Sequence, residues 1–197
     1  MAMVSSFGDS SNFKFGICQG MNVRGIPKVK FIDDVVKFLD QPGAQVDEVL
    51  KSLQELLQKY KVYEVHITRQ KSGLNSKIPE IEESLEMIKF LKKKAEDSEE
   101  VKTEFKLSDN VYADSIIDAD NDTVGLWLGA GVMLEYTYDD ATALLTKNLE
   151  AAKLQKKTHQ EDLDFLKDQI VTTEVSIARV YNHDVKIRRE MKGKEKE

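Results

Sequence analysis

The sequence is poor in the features of secreted disulfide-rich domains and of membrane proteins. Cys18 is the only cysteine among 197 residues, so no disulfide can form within the chain. No stretch approaches the roughly 18 consecutive apolar residues that a membrane-spanning helix needs. Residues 1–19 contain no continuous apolar segment of the signal-peptide kind. These absences predict a cytoplasmic protein, and they leave an additional nuclear location open.

Proline is scarce as well, with three residues, whereas charged residues make up 32% of the chain. A chain with so much charge either stays disordered or forms long helices that bury one narrow stripe. The formal net charge of -6 provides no attraction for nucleic acid or for an anionic membrane. We therefore expect neither nucleic acid nor a membrane as a partner.

A long heptad repeat predicts the first helix. From Val46 to Ala95, apolar residues recur in alternating steps of four and three, which is the 3.5-residue period of a coiled coil. Pro79 lies inside this run and removes one helical hydrogen bond, so the helix is either kinked or broken near Asn75. Because the heptad phase passes through the site unchanged, we favour a kinked, continuous helix over residues 44–98.

A second heptad repeat, from Leu145 to Met191, predicts another helix over residues 139–192. It is weaker because more of its seam positions are polar. The two runs have similar lengths and a compact segment joins them, so we favour an antiparallel coiled coil within one chain, with facing residue numbers that add to about 237. The alternative is a parallel coiled coil between two molecules, which would leave the joining segment isolated between two rods.

The joining segment, residues 101–136, has the composition of β-structure. Its short alternating runs, separated by turn-forming residues at 118–122 and 129–131, predict two consecutive β-hairpins. Isolated hairpins are marginal in water, so these should pair with strands from elsewhere, with Trp127 as the leading anchor unless it packs only within its own chain. The candidate assembly residues are Phe105, Val111, Tyr112, Val124, Leu126, Trp127, Leu128, Val132, Leu134 and Tyr136.

The ends of the chain lack a sustained period. Residues 1–28 are predicted to be a disordered tail, and residues 193–197 a charged tail. Residues 29–40 carry apolar side chains at spacings that predict a short amphipathic helix, which must cover its apolar face on another element. The fold class expected overall is mainly α with a small β segment.

No motif for catalysis, a cofactor or a metal is present in the sequence. The aspartates at 118, 120 and 122 begin like a calcium-binding EF-hand loop, but Thr123 replaces the required glycine and Gly129 the required glutamate. Gly129-Ala130-Gly131 lacks the third glycine and the following helix of a dinucleotide site. We therefore expect no enzyme activity, no cofactor and no metal; an enzyme would instead be purified with a bound cofactor or metal.

Several blocks of the sequence resemble a known family. They are Arg24-Gly25-Ile26-Pro27, Phe38-Leu39-Asp40-Gln41-Pro42-Gly43, Ile78-Pro79-Glu80-Ile81, residues 107–112, 126–130, 132–136, 161–166, 172–175 and 178–182. With the order helix, two hairpins, helix, they resemble the α-type subunits of prefoldin, and among these the branch that binds the von Hippel-Lindau protein. The resemblance extends from about residue 24 to about residue 190.

The resemblance implies a subunit of a heterohexameric, ATP-independent co-chaperone. In that assembly the hairpins of α-type and β-type subunits form a double barrel from which the coiled coils hang. The implied clients are unfolded actin and tubulin, which are passed to the cytosolic chaperonin, and the von Hippel-Lindau protein is a further implied partner. The alternative is a coiled-coil scaffold or adaptor that binds folded partners.

The free end of the coiled coil is the candidate client-binding tip. Fraying there would expose apolar side chains to an unfolded chain, and several tips on one assembly would raise affinity through effective concentration. The alternative is that these residues only close the coil. The tip residues are Val46, Val49, Leu50, Leu53, Val180, Val185, Ile187 and Met191.

Overall fold

The computed structural model describes residues 14–40, 45–118 and 122–194, without the side chains of residues 14 and 192–194. After a 3₁₀ turn at Lys14–Gly16, the elements are β1 (Cys18–Met21), β2 (Pro27–Val29), α1 (Val35–Leu39), α2 (Val46–Glu96), β3 (Val101–Ser108), β4 (Val111–Ile117), β5 (Thr123–Gly129), β6 (Val132–Thr137) and α3 (Tyr138–Lys194). The predicted mainly α fold with two hairpins between long helices is confirmed.

The described residues form two compact units. Unit 1 comprises the residues up to Gln70 and those from His159 onward, and unit 2 comprises residues 71–158. Four of the predicted segments lie partly outside the described residues: the tail before residue 14, the first helix at residue 44, the turn at residues 119–121 and the end of the chain from residue 195. Residues 193 and 194, predicted as part of a charged tail, belong to α3.

Helix α2 is continuous through Pro79, so the break near Asn75 does not occur. Pro79 has no N–H to donate to the carbonyl of Asn75, and both residues are exposed, so water can bond that carbonyl. The helix ends with Ser98 N–H donating to the carbonyl of Ala95 (3.1 Å) and Glu99 N–H donating to that of Lys94 (3.0 Å). Ser98 has a φ of 54°, so this is a Schellman motif, which turns the chain into β3.

Within unit 1, α2 and α3 run antiparallel. Ion pairs join Lys61 to Glu174 at 2.9 Å and Asp47 to Arg188 at 3.6 Å. The two residue numbers add to 235 in each pair, which is a register two residues away from the predicted one. The coiled coil therefore forms within the chain, as predicted.

Within unit 2, the continuation of the same helices carries the β5–β6 hairpin. Lys153 pairs with Glu82 at 2.7 Å, and Lys92 pairs with Asp139 at 2.5 Å. The β3–β4 and β5–β6 hairpins are separate two-stranded antiparallel sheets. The buried core of this unit contains Ile88, Tyr138 and Ala141, with Leu91, Ala95, Val124, Leu126, Tyr136 and Leu145 packed against it.

Residues 15–40 form an ordered strap on α2 and α3 within unit 1. Strands β1 and β2 pair antiparallel, with Cys18 opposite Val29 and Met21 opposite Pro27. The prediction of a disordered tail over residues 1–28 is therefore wrong for residues 14–28. The physical reason is burial: Ile17, Ile26, Val29 and Ile32 are at most 3% exposed in one core with the long helices, which offsets the entropy lost on ordering.

The short helix predicted over residues 29–40 forms only at Val35–Leu39. It cannot start earlier because Val29 is the last residue of β2. Asp34 caps it, because the carboxylate accepts hydrogen bonds from the N–H groups of Val36 (3.1 Å) and Lys37 (3.2 Å). The bond from the Lys37 N–H is the main cause that lowers the pKa of Asp34. As predicted, the helix packs its apolar side on another element, because Phe38 is buried in the core of unit 1.

Candidate functional surfaces

The β5–β6 hairpin packs one face on the helices of its own unit. Val124 lies opposite Tyr136, and Leu126 lies opposite Leu134, so these side chains share a face. Val124, Leu126 and Tyr136 are half-buried against the core that includes Ile88. Leu134 shares the face but remains 48% exposed.

The other face of this hairpin exposes two large apolar side chains beside Thr123, Glu135 and Thr137. Trp127 lies opposite Met133, and the two side chains are 69% and 50% exposed. Gly125 lies on the same face, and a Cβ built there would come within 3.0 Å of Met133 Sδ. The absence of a side chain at Gly125 thus lets Met133 lie across the strand. The result is an exposed pair of apolar side chains, Trp127 and Met133, without cover among the described residues.

The β3–β4 hairpin exposes large apolar side chains on both faces. Phe105 lies opposite Ala113 on one face, and Tyr112 lies opposite Lys106 on the other. Phe105 and Tyr112 are 62% and 56% exposed, and Leu107 and Ile116 are exposed to a similar degree. Several large apolar side chains exposed on one short hairpin are typical of an interaction surface.

The structure thus divides the ten predicted assembly residues into two groups. Val124, Leu126 and Tyr136 pack on their own helices, whereas the others are exposed: Phe105, Val111, Tyr112, Trp127, Leu128, Val132 and Leu134. Sequence reasoning missed Leu107, Ile116 and Met133, which are exposed on the same hairpins. Strict alternation along each predicted strand was the signal that could have found them.

The predicted tip residues lie within unit 1, and most of them are buried. Val49, Leu53 and Val180 have no exposed area. Val46 and Leu50 are half-buried and pack against the same core, and Val185 and Ile187 are half-buried. Met191 is 63% exposed. The core that holds Val49, Leu53 and Val180 also contains strap residues, so this end of the helix pair is not a bare coiled coil.

Two side chains of the long helices form hydrogen bonds with the main chain in the middle of the strap. The hydroxyl of Tyr60, a fully buried side chain on α2, donates to the carbonyl of Pro27 at 2.7 Å. The N–H of Val29 donates to Gln169 Oε1 on α3 at 2.9 Å. Since both bonds are buried, losing either partner would leave a polar group unsatisfied.

Two arginines hold the strap, one at the turn between β1 and β2 and one beside Asp33. The guanidinium of Arg24 donates to the carboxylate of Asp162, which is 6% exposed, and lies 3.4 Å from Glu161. The bond to Asp162 is the main cause that raises the pKa of Arg24. In the opposite direction, Arg179 of α3 donates to the carbonyl of Asp33 at 3.1 Å, and its guanidinium lies 4.7 Å from the ring centre of Phe31.

A buried polar stripe on α3 marks the path of the strap. Asp162, Gln169 and Ser176 are seven residues apart and at most 6% exposed. Asp162 and Gln169 bond the strap, while Ser176 donates to the carbonyl of Thr172 at 2.8 Å. Sequence reasoning missed this stripe because polar side chains beside an apolar seam are normally solvated. Their heptad spacing was the available signal.

Burial also changes the chemistry of the single cysteine. Cys18 is half-buried, and desolvation raises the pKa of its thiol to about 11, against a smaller lowering by the Lys59 ammonium. Since the thiolate is the reactive species, this shift lowers the reactivity expected of Cys18 at neutral pH while the strap is docked. Burial likewise raises the pKa of Tyr60.

Two other kinds of feature, a metal site and a membrane-spanning helix, are absent from the described ranges. No group of three or more His, Cys, Asp or Glu side chains in those ranges could hold a metal ion. None of the helices there combines the length and the apolar composition that crossing a membrane would require.

Two long antiparallel helices joined by two exposed apolar hairpins define an assembly-forming coiled-coil protein of the prefoldin type. The family model described as "Prefoldin subunit" matches residues 60–183. Prefoldin subunit 3 of Mus musculus is 49% identical over 165 residues, which cover 83% of this chain and 84% of that protein. Prefoldin subunit 3 of Homo sapiens has the same identity, with 83% of each chain covered, and that of Elsinoe fawcettii is 45% identical over 88% of this chain and 87% of its own.

The chain therefore belongs to the prefoldin subunit family, and the predicted resemblance is confirmed. A prefoldin subunit is a chaperone subunit that works in a complex with other prefoldin subunits. The strap lies before the residues that the family model matches, whereas α3 lies within them up to residue 183.

Proposed function

We propose that this chain is an α-type subunit of a heterohexameric, ATP-independent, cytoplasmic co-chaperone. The assembly captures unfolded actin and tubulin and delivers them to the cytosolic chaperonin. Its partners are α-type and β-type prefoldin subunits, those clients, the chaperonin and the von Hippel-Lindau protein, and it has no enzymatic activity. The observation that carries the proposal is the exposed apolar surface of the two hairpins, in a chain of the prefoldin subunit family.

The hairpins supply the assembly step. A monomer gains nothing by exposing Trp127, Met133, Phe105 and Tyr112, because burial of apolar area contributes about 25 cal/mol per Å². The unpaired strand edges add backbone donors and acceptors that another chain can satisfy. Contact between subunits would bury these side chains and pair these edges. Both features therefore support a barrel built from several chains.

The end of the coiled coil supplies the capture step. Met191 is exposed there, and Val185 and Ile187 are half-buried, so some apolar area is available without unfolding. One such patch binds weakly, but several on one assembly raise affinity through effective concentration and still allow release. No nucleotide is needed because each contact is individually weak.

Trp127→Asp together with Met133→Asp tests the assembly step. Both side chains are exposed on one face, so helicity by circular dichroism should stay within about 10% of wild type. Burying two carboxylates in an interface is strongly unfavourable, so co-purification with β-type subunits should fall at least tenfold. Val62→Asp, at a valine that is 60% exposed on α2, is the control and should leave the hexamer yield unchanged. An unchanged yield for the double variant would contradict the assignment.

Suppression of aggregation tests the capture step. The hexamer, its integrity checked by light scattering, should prevent denatured actin from aggregating without nucleotide. If an intact hexamer has no effect, the chain is a scaffold that binds folded partners. The two experiments are independent, so assembly can be upheld while capture fails.

A further inference from the structure

We propose that the strap occupies a peptide-binding groove of its own chain, and that an extended segment of unfolded polypeptide displaces it and binds in its place. The strap groove is the surface of unit 1 formed by Leu53, Leu56, Tyr60, Leu166 and Gln169. This inference rests on the proposed chaperone function, and it identifies the occupant and the regulation of the client site.

The strap groove recognises main-chain groups that every polypeptide has. The Tyr60 hydroxyl donates to a carbonyl, and Gln169 Oε1 accepts from an N–H two residues further along the bound segment. Neither contact depends on a particular side chain of the occupant. Recognition of an extended backbone by two fixed polar groups in an apolar groove is how a site binds many different unfolded sequences.

The apolar contacts define the side chains that the occupant brings. Ile26, Val29 and Ile32 are at most 3% exposed, whereas Lys28 and Lys30 between them face solvent. A segment with apolar residues at these positions and at that of Pro27, which is under 2% exposed, would fill the same sites. Polar residues at the positions of Lys28 and Lys30 would stay in solvent. Such segments occur inside the folded core of a client and are exposed only while it is unfolded.

Charge fixes the direction of the occupant. Asp162 and Glu161 form ion pairs with Arg24, two residues before the first aliphatic position. At the far end, Arg179 donates to backbone carbonyls and lies over an aromatic ring. A basic residue at the start of the segment and an aromatic or acidic residue near its end complete the match. The preferred occupant is therefore an extended segment that begins with a basic residue and continues with apolar residues.

The strap can leave as a unit because much of its backbone bonding is internal. β1 pairs with β2, and the turn between them is closed by Asn22 N–H donating to the carbonyl of Ile26 at 2.8 Å. The side-chain oxygen of Asn22 also accepts from the N–H groups of Arg24 (2.9 Å) and Ile26 (2.8 Å). Displacement would thus break few bonds inside the strap, and the return of a tethered strap would promote release of the client.

Cys18 provides a reporter for this exchange, because it is the only cysteine of the chain and lies in β1. With the strap docked, the thiol is half-buried; displacement would expose it and restore an ordinary thiolate fraction. The rate at which N-ethylmaleimide modifies Cys18 therefore measures displacement. Peptide mass spectrometry assigns the adduct to Cys18 even when the other subunits contain cysteines.

The experiment uses the full chain in the assembled complex, with reduced, carboxymethylated α-lactalbumin as a permanently unfolded probe. Saturating probe should increase the alkylation rate of wild-type Cys18 at least fivefold. Arg24→Ala removes the link to Asp162 and Glu161, so it should increase the rate without probe and tighten probe binding, each about threefold to tenfold. Arg188→Ala is the matched control, since its ion pairs join it to Asp47 and Asp184, and both quantities should stay within twofold of wild type.

Three outcomes separate the two proposals. If the probe binds but the alkylation rate of Cys18 falls or stays unchanged, the displacement proposal is overturned while the chaperone function stands. If the probe binds neither wild type nor Arg24→Ala, the displacement proposal is overturned, and suppression of denatured-actin aggregation by the hexamer then decides the chaperone function separately. If probe binding and Cys18 exposure rise together, and the probe competes with a peptide of residues 22–33 added in trans, the displacement proposal is supported. The wild-type measurement with and without probe needs no variant, so a misfolded Arg24→Ala leaves the test intact.

Discussion

The β1–β2 hairpin of the strap and the β5–β6 hairpin of unit 2 are both short antiparallel ribbons, yet their apolar side chains end in opposite environments. Ile26 and Val29 of the strap are almost fully buried, whereas Trp127 and Met133 of the other hairpin are at least half exposed. The strap finds a complementary surface on its own helices. The longer hairpin satisfies only one face in this way.

The difference shows that a hairpin's own sequence does not decide whether its apolar side chains are buried within the same chain. Both hairpins carry more apolar area than a lone ribbon can hide. In unit 1 the helices offer an apolar groove with Tyr60 and Gln169 placed to bond the incoming backbone. In unit 2 the outer face of β5–β6 has no such counterpart among the described residues, and in the proposed assembly another chain would cover it.

Tyr60→Ala should produce the largest effect. It empties a fully buried aromatic site and removes the donor to the Pro27 carbonyl, so the free energy of unfolding should fall by about 3–5 kcal/mol. Urea unfolding of the full chain, purified without partners, measures it. Val62→Ala, at a 60% exposed position two residues away, is the control and should cost less than about 0.5 kcal/mol. Equal effects of the two would mean that the strap core does not form in solution.

Gln169→Met should have an intermediate effect. The side chain keeps its length but loses the oxygen that accepts from Val29, which leaves a buried N–H without a partner and should cost about 1–3 kcal/mol. Hydrogen exchange should report faster exchange at Val29 in particular. Gln155→Met, an exposed glutamine on the same helix, is the matched control. Unchanged protection of the Val29 amide would show that this bond does not hold the strap.

Trp127→Ala should have the smallest effect on the chain alone, although tryptophan is the largest side chain. Its 69% exposure limits the loss in unfolding free energy to about 0.5 kcal/mol, while affinity for partner subunits should fall about tenfold or more. Thermal unfolding of the free chain and pull-down of β-type subunits measure the two effects. A loss above about 2 kcal/mol in the free chain would place Trp127 in an intrachain core instead.

The elements that sequence reasoning predicted best are those with a sustained period. The heptads beginning at Val46 and Leu145 predicted α2 and α3, and the alternating runs predicted β3 to β6, because each pattern repeats often enough to outweigh single exceptions such as Pro79. The pairing register was predicted only approximately. Many heptad registers bury the same seam, and the sequence does not show which one forms the observed ion pairs of Lys61 with Glu174 and of Glu82 with Lys153.

The strap could not be predicted by the same means. Ile17, Ile26, Val29 and Ile32 follow neither the heptad of a coiled coil nor the alternation of a strand, because the surface they cover is a groove between two helices rather than a flat sheet. Their burial depends on side chains more than a hundred positions away, such as Gln169. The candidate assembly surface was predicted in composition but not in orientation, since only the pairing of Leu126 with Leu134 shows which face turns inward.

Pro79 has a mechanical consequence for α2. The helix lacks one rung of its hydrogen-bond ladder at this turn, on the solvent side, while Leu74 and Ile78 on the other side remain in the seam. A load that bends α2 therefore meets its lowest stiffness here, where water can bond the carbonyl of Asn75 as it opens. The helix can bend at this point while its apolar side chains remain packed in the seam.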